Sequence, residues 1–264
     1  MRAKYGWAGV VAAILALVLA AGGTAVADSY TFDVAGVADD GTPVRANVTA
    51  VVVQDLDSSS PTYLQATTSF LIYNTSPFIE QTNGGVTVAN GSPVLTGFLF
   101  NYPAGQGALP YLQGVGKTLN LATGQVSGTA TTERYGSTVT TGDFKVMIDK
   151  NAPGGWGRFS VFLKDDKAND RGVVREGGTN LHVADYVEGP LAWQFYLPNA
   201  MAPFSASSFA SAQPVNFVAR FQSTGSDGEG SGTGVVPEPG SLALLLAGGG
   251  LLGLLGRRRG KPTR

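Results

Sequence analysis

The chain has 264 residues with 43% hydrophobic and 14% charged residues, a composition that excludes a disordered polyelectrolyte and a length that fits one folded domain of about 200 residues or two small ones. Residues 28–236 hold 11 Lys and Arg against 18 Asp and Glu, net −7, which excludes a basic nucleic-acid-binding surface. There is no cysteine, so disulfides, thiolate metal sites and a cysteine nucleophile are excluded together.

The first stretch, MRAKYGWAGVVAAILALVLAAGGTAVADSY, has the three parts of a secretory signal. Arg2 and Lys4 form a basic start, and Val10 to Ala21 is an uninterrupted apolar run of 12 residues, short for a membrane-spanning helix. Ala25 and Ala27 supply small residues at the −3 and −1 positions of a cleavage site before Asp28. The expectation is a signal helix over 1–27, removed by signal peptidase after passage through the secretion translocon. An uncleaved anchor is the alternative.

Residues 28–222 show period-two patterning. Tyr30, Phe32 and Val34 alternate with Ser29, Thr31 and Asp33, and Val215, Phe217, Ala219 and Phe221 alternate with Asn216, Val218, Arg220 and Gln222. Further strand-like runs are VRANVTAVVVQD, LQATTSFLIYN, VLTGFLFNY, GQVSGTATTERY, GDFKVMID, GRFSVFLKD and AWQFYL, rich in Val, Thr, Phe and Tyr and bounded by turn residues. No stretch of the body has clear helical periodicity over 10–12 residues, though 200–212 has room for one short helix or a loop. The expected fold is all-β, an antiparallel sandwich or barrel-like body, with Phe32, Phe217 and Phe221 in its core.

Candidate chemistry in the body is sparse. The single histidine, His182, lies three residues before Asp185, but there is no G-x-S-x-G motif, and strand alternation would place the two on opposite faces. Asp165, Asp166, Asn169 and Asp170 in KDDKANDRG could gather oxygen ligands for Ca²⁺, as could Asp55 and Asp57, although neither run follows the D-x-[DN]-x-[DN]-G order. Lys164, Lys167 and Arg171 dilute the first, so a solvated turn is the default. Trp156, between glycines in APGGWGRF, is expected as a core residue at a strand start, with an exposed sugar-stacking ring as the alternative. Paired carboxylates of a glycosidase have no sequence signature here. The Thr-rich run 127–142 lacks a regular T-x-T ladder.

Residues 223–235 are rich in Gly and Ser and read as a flexible linker. The chain then closes on VPEPGSLALLLAGGGLLGLLGRRRG. Ser241 to Gly256 is 16 residues without charge, about 24 Å as a helix, and Arg257, Arg258 and Arg259 would stay on the cytoplasmic side. Pro237 and Pro239 around Glu238 keep the backbone extended in front of this transmembrane helix.

Val236, Pro237, Glu238 and Pro239, the apolar stretch and Arg257 to Arg259 together resemble the PEP-CTERM sorting tail, also labelled the ice-binding protein C-terminal domain, over 236–264. The resemblance implies export in a Gram-negative bacterium, an inner-membrane-anchored intermediate, and recognition by an exosortase that removes the hydrophobic tail. It also implies association with exopolysaccharide and biofilm matrix. The expected function is therefore that of a non-enzymatic, exported surface or matrix protein. A secreted carbohydrate-active enzyme or a polysaccharide-binding module is the alternative. No resident cofactor is expected, calcium apart.

Overall fold

A computed structural model describes residues 25–102, 110–166, 171–198, 200–212 and 214–237. Among these the chain forms β1 (Ala25–Val37), β2 (Pro43–Asp55), β3 (Ala66–Asn74), β4 (Ile79–Asn83), β5 (Val86–Gly91), β6 (Val94–Phe100), β7 (Tyr111–Gly116) and β8 (Thr118–Leu119). The second half adds β9 (Val126–Ser127), β10 (Phe144–Asn151), β11 (Arg158–Asp165), β12 (Val173–Val174), β13 (Val187–Glu188), β14 (Leu191–Leu197), β15 (Phe217–Gln222) and β16 (Ser231–Val235). The described residues contain three 3-10 turns and no α-helix. Of the segment expected as a signal helix, 1–24 lie outside them and 25–27 are the start of β1, while the expected C-terminal transmembrane helix lies outside them entirely; within them, no helix is long and apolar enough to cross a membrane.

The main sheet runs β10-β11-β6-β15-β16-β1-β2-β3-β14-β7, antiparallel along this path, with β12 added to β6 and β13 parallel to β12. It curls into a nearly closed barrel, the all-β body that the alternating pattern predicts. On β2, Val44, Ala46, Val48, Ala50 and Val52 point into the core, while Arg45, Asn47 and Thr49 point away, the period-two signature of a half-buried strand. Phe70 on β3 brings the walls together: its ring centroid lies 4.9–5.5 Å from those of Phe98, Phe100, Phe209 and Phe217. Phe32, Phe217 and Phe221 are buried, as the alternation requires.

A second, smaller core lies on the outer face, where Leu99, Ala152, Phe159, Phe162 and Val218 pack together. This explains why β6 is buried on both faces. Elsewhere the outer face is sealed by the 120–125 turn, whose Gly124 carbonyl accepts hydrogen bonds from Ser69 and Gln194.

Two expectations are corrected. The run 124–135 is a strand only at Val126–Ser127, because Gly124 and Gly128 adopt φ of 66° and 78° and turn the chain out of the ladder. The larger correction concerns 223–235. Residues 231–235 are β16, an interior strand between β15 and β1, and not a linker. Its glycines serve close approach: a Cβ on Gly232 would lie 2.8 Å from the Ala38 Cα. The preceding residues are tied down as well, with Thr224 Oγ1 donating to Asp40 at 2.8 Å and Thr82 N–H to the Ser226 carbonyl at 2.9 Å. The region 200–212 resolves into a 3-10 turn at Ala206–Ala210.

Candidate functional site

The residues singled out at the two ends of the chain converge on one seam of the barrel. Ala25 opens β1 and is in register with Asp55, and Ala27 is buried opposite Val53. Asp28, the residue after the expected cut, is already fixed, its carboxylate accepting the Ala206 N–H at 2.8 Å. A cut after Ala27 would therefore remove three residues of β1 and leave the rest of its ladder with β2 in place.

At the other end, all five residues of β16 pair with β15, from Ser231 with Gln222 to Val235 with Val218. Val235 is also the partner of Ala35 on β1. Val236 packs against the main core and Pro237 is exposed. Glu238, Pro239, Arg257, Arg258 and Arg259 lie outside the described residues. The segment that carries the sorting signature thus leaves from an interior strand of the folded body.

Residues 235–259 match the family model described as the PEP-CTERM protein-sorting motif. The chain carries a PEP-CTERM sorting tail. The motif marks an exported bacterial protein that passes through a membrane and is processed by an exosortase. The match begins at Val235, the last residue of β16, so sorting tail and folded body share a residue without a spacer. Neither a curated protein nor a solved structure matches the chain.

The candidate calcium loop is placed differently from a ligand cluster. Asp165 closes β11 as a buried residue, and its carboxylate accepts the Arg171 N–H at 2.9 Å. Asp166 is exposed, and Asn169 and Asp170 lie outside the described residues. Among the described residues, no group of three or more His, Cys, Asp or Glu is arranged to hold a metal ion. Asp55 and Asp57 belong to a self-satisfied turn. The Ser60 and Thr62 hydroxyls hold the Asp55 carboxyl below its ordinary range, and the Ser59 hydroxyl does the same for Asp57.

Sequence reasoning missed the charged centre around Arg171. Its guanidinium lies 3.6 Å from Asp143 and 3.9 Å from Asp185, both carboxylates buried. Asp143 also takes the Thr140 N–H at 2.7 Å, and Asp185 takes the N–H groups of Arg134 and Tyr186 at 2.9 and 3.0 Å. These acids come from distant parts of the chain, so no local spacing announces them.

His182 is not on a strand, contrary to the alternation argument. It lies in a bend where its N–H and that of Val183 donate to the Asn180 side chain, and its ring Nε2 is 3.2 Å from the Ser226 carbonyl. It makes no ion pair with Asp185, whose carboxylate is engaged with backbone N–H groups. Trp156 is likewise not a core residue: it is 42% exposed, and its Nε1 donates to Thr233 Oγ1 at 3.1 Å. The flanking Gly155 and Gly157, both at positive φ, carry the ring outward at the top of the β10–β11 hairpin.

Proposed function

We propose that this is a non-enzymatic surface or matrix protein of a Gram-negative bacterium, delivered by its PEP-CTERM tail and serving a structural or exopolysaccharide-associated role in biofilm. The observation that carries the reading is the emergence of the tail from β16, an interior strand of a nearly closed β body. Its characteristic buried carboxylates, Asp143, Asp165 and Asp185, are all committed to hydrogen bonds or ion pairs within the fold, which favours a scaffold over an acid–base catalyst. The secretion translocon, signal peptidase and an exosortase act on the chain before it reaches the surface. A polysaccharide-binding role within the same reading is favoured by the half-exposed Trp156.

The test is intact-mass measurement of the protein released from cells with active exosortase and from cells whose exosortase is inactivated. The expected mature species begins at Asp28, loses the segment after the Pro237–Pro239 region and so lacks Arg257 to Arg259. An exported species that keeps the arginines in both strains would leave only a tail anchor. Surface and matrix fractions that lack the protein altogether would overturn the placement.

A further inference from the structure

On β15 the residues Phe217, Ala219 and Phe221 face the main core, while Val218 joins the outer cluster with Phe159 and Phe162. Arg220 shares the outer side with Val218 but is not covered in the same way. Beside it the 152–157 turn laps over β16, fastened by the hydrogen bond from Trp156 to Thr233. The turn depends on Gly154, at φ 79°, where a Cβ would come within 3.0 Å of Trp156 Nε1 and 3.1 Å of Thr233 Oγ1. Between turn and strand lies a half-open cleft of about 380 Å³, lined by Arg220, Ser231, Thr233, Gly154, Val37 and Asp39. That volume falls in the ~300–1,000 Å³ range of small-molecule sites.

The polar groups of the cleft are unequally satisfied. Asp39 is occupied, accepting the Ser231 N–H at 2.7 Å and its hydroxyl at 3.3 Å. Arg220 has neither a hydrogen-bond acceptor for its guanidinium nor a carboxylate within ion-pair distance among the described residues. Burial alone acts on it, and it lowers the Arg220 pKa from its ordinary value. A planar cation with five donors, partly desolvated and without a counter-charge, is an unfavourable arrangement that a bound anion relieves. Trp156, exposed and hydrogen-bonded through its Nε1 to the lining residue Thr233, stands next to the cleft and brings an aromatic ring beside it.

We propose that this cleft binds a carboxylated sugar residue of a polysaccharide, with the carboxylate on Arg220 and the sugar ring against Trp156. The net charge of −7 over 28–236 gives no long-range attraction for an acidic polymer, so recognition rests on these short-range contacts. Asp39 is already engaged by Ser231, and the Trp156 ring next to the cleft offers a sugar ring a contact that inorganic phosphate cannot make, which favours a uronate over phosphate. The proposal deepens the matrix reading above and rests on it. It can fail while export and tail removal stand, because binding is measured on purified chain and sorting in cells.

The experiment is calorimetric titration of the full-length chain, purified in detergent, with trigalacturonate, with the neutral galactose trimer and with inorganic phosphate. Trigalacturonate should bind at least about tenfold more tightly than either comparison ligand, and Arg220→Gln and Trp156→Ala should each weaken it by about tenfold or more with the thermal midpoint preserved. Should Arg220→Gln fail to fold, Trp156→Ala, on the exposed rim, still decides. Equal binding of the neutral trimer or of phosphate, unchanged affinity in Trp156→Ala, or no binding of trigalacturonate at millimolar concentration overturns the proposal.

Discussion

Ala35 and Val235 are partners across the β1–β16 ladder, so the first strand of the body and the last strand before the sorting tail complete one sheet. β16 also pairs along its whole length with β15, and its loss would expose two strand edges at once. A chain ending at Pro237 should therefore unfold at the same temperature as the exported protein. One ending at Gly230 should be cut rapidly by protease and lose its cooperative transition. The comparison uses thermal melts and timed proteolysis of the two truncations. Equal resistance of both would mean that β16 contributes nothing to the stability of the sheet.

The crossing of these strands rests on Gly36. A Cβ there would lie 1.9 Å from the Thr233 carbonyl oxygen, a backbone atom that cannot move aside without lifting β16. Gly36→Ala should cost at least about 1–3 kcal/mol, the usual penalty of overpacking, and Gly36→Val more. Gly114→Ala is the control, because its new Cβ meets Gln194 Oε1 at an ordinary 3.4 Å. Denaturant unfolding of the two alanine variants should separate them clearly.

How much of this was legible in sequence depended on what each residue reports. Alternation at Phe32, Phe217 and Phe221 is a local signal, and burial follows it directly. Strands β4, β5 and β7 are exposed or half-covered, and their weak alternation leaves no clear strand signal in the sequence. In SGTGV the glycines read as flexibility, yet Gly232 and Gly234 let β16 pack against Ala38 and Ala35. Composition reports the absence of a side chain and not which backbone fills the space. The Arg171 centre and the Arg220 cleft join acids, arginines and a tryptophan far apart in the chain, a property of topology that no spacing rule reaches. The sorting tail was legible because its signal is linear.

The aromatic core offers a direct measure of packing. Phe217 touches Phe70 at a centroid distance of 5.5 Å, Phe98 at 5.4 Å and Phe32 at 5.4 Å, and it is fully buried. Phe217→Ala should cost about 3–5 kcal/mol, as should Phe70→Ala. Because the two rings share the same space, the double variant should cost less than the sum of the single changes, by about 0.5–3 kcal/mol. Strict additivity in a denaturant double-mutant cycle would show that the walls of the barrel are not in contact here.

Acid should attack the fold through Asp185. Burial pushes its carboxyl upward, but the Thr132 hydroxyl, the N–H groups of Arg134 and Tyr186, and the Arg171 charge outweigh this and hold its pKa below the ordinary value. A depressed folded-state pKa means the unfolded chain takes up the proton first. The stabilisation is therefore fully present above the unfolded carboxylate value of about 3.9 and is lost as pH falls through the lower folded value. Asp185→Asn keeps an acceptor for the two backbone donors and removes the charge beside Arg171. It should lower stability by about 1–3 kcal/mol at neutral pH and flatten the decline below about pH 4 relative to the parent chain. Thermal midpoints of both proteins from pH 7 to pH 2.5 provide the check. Parallel curves, with the same acid slope in the variant, would remove Asp185 from the account of acid stability.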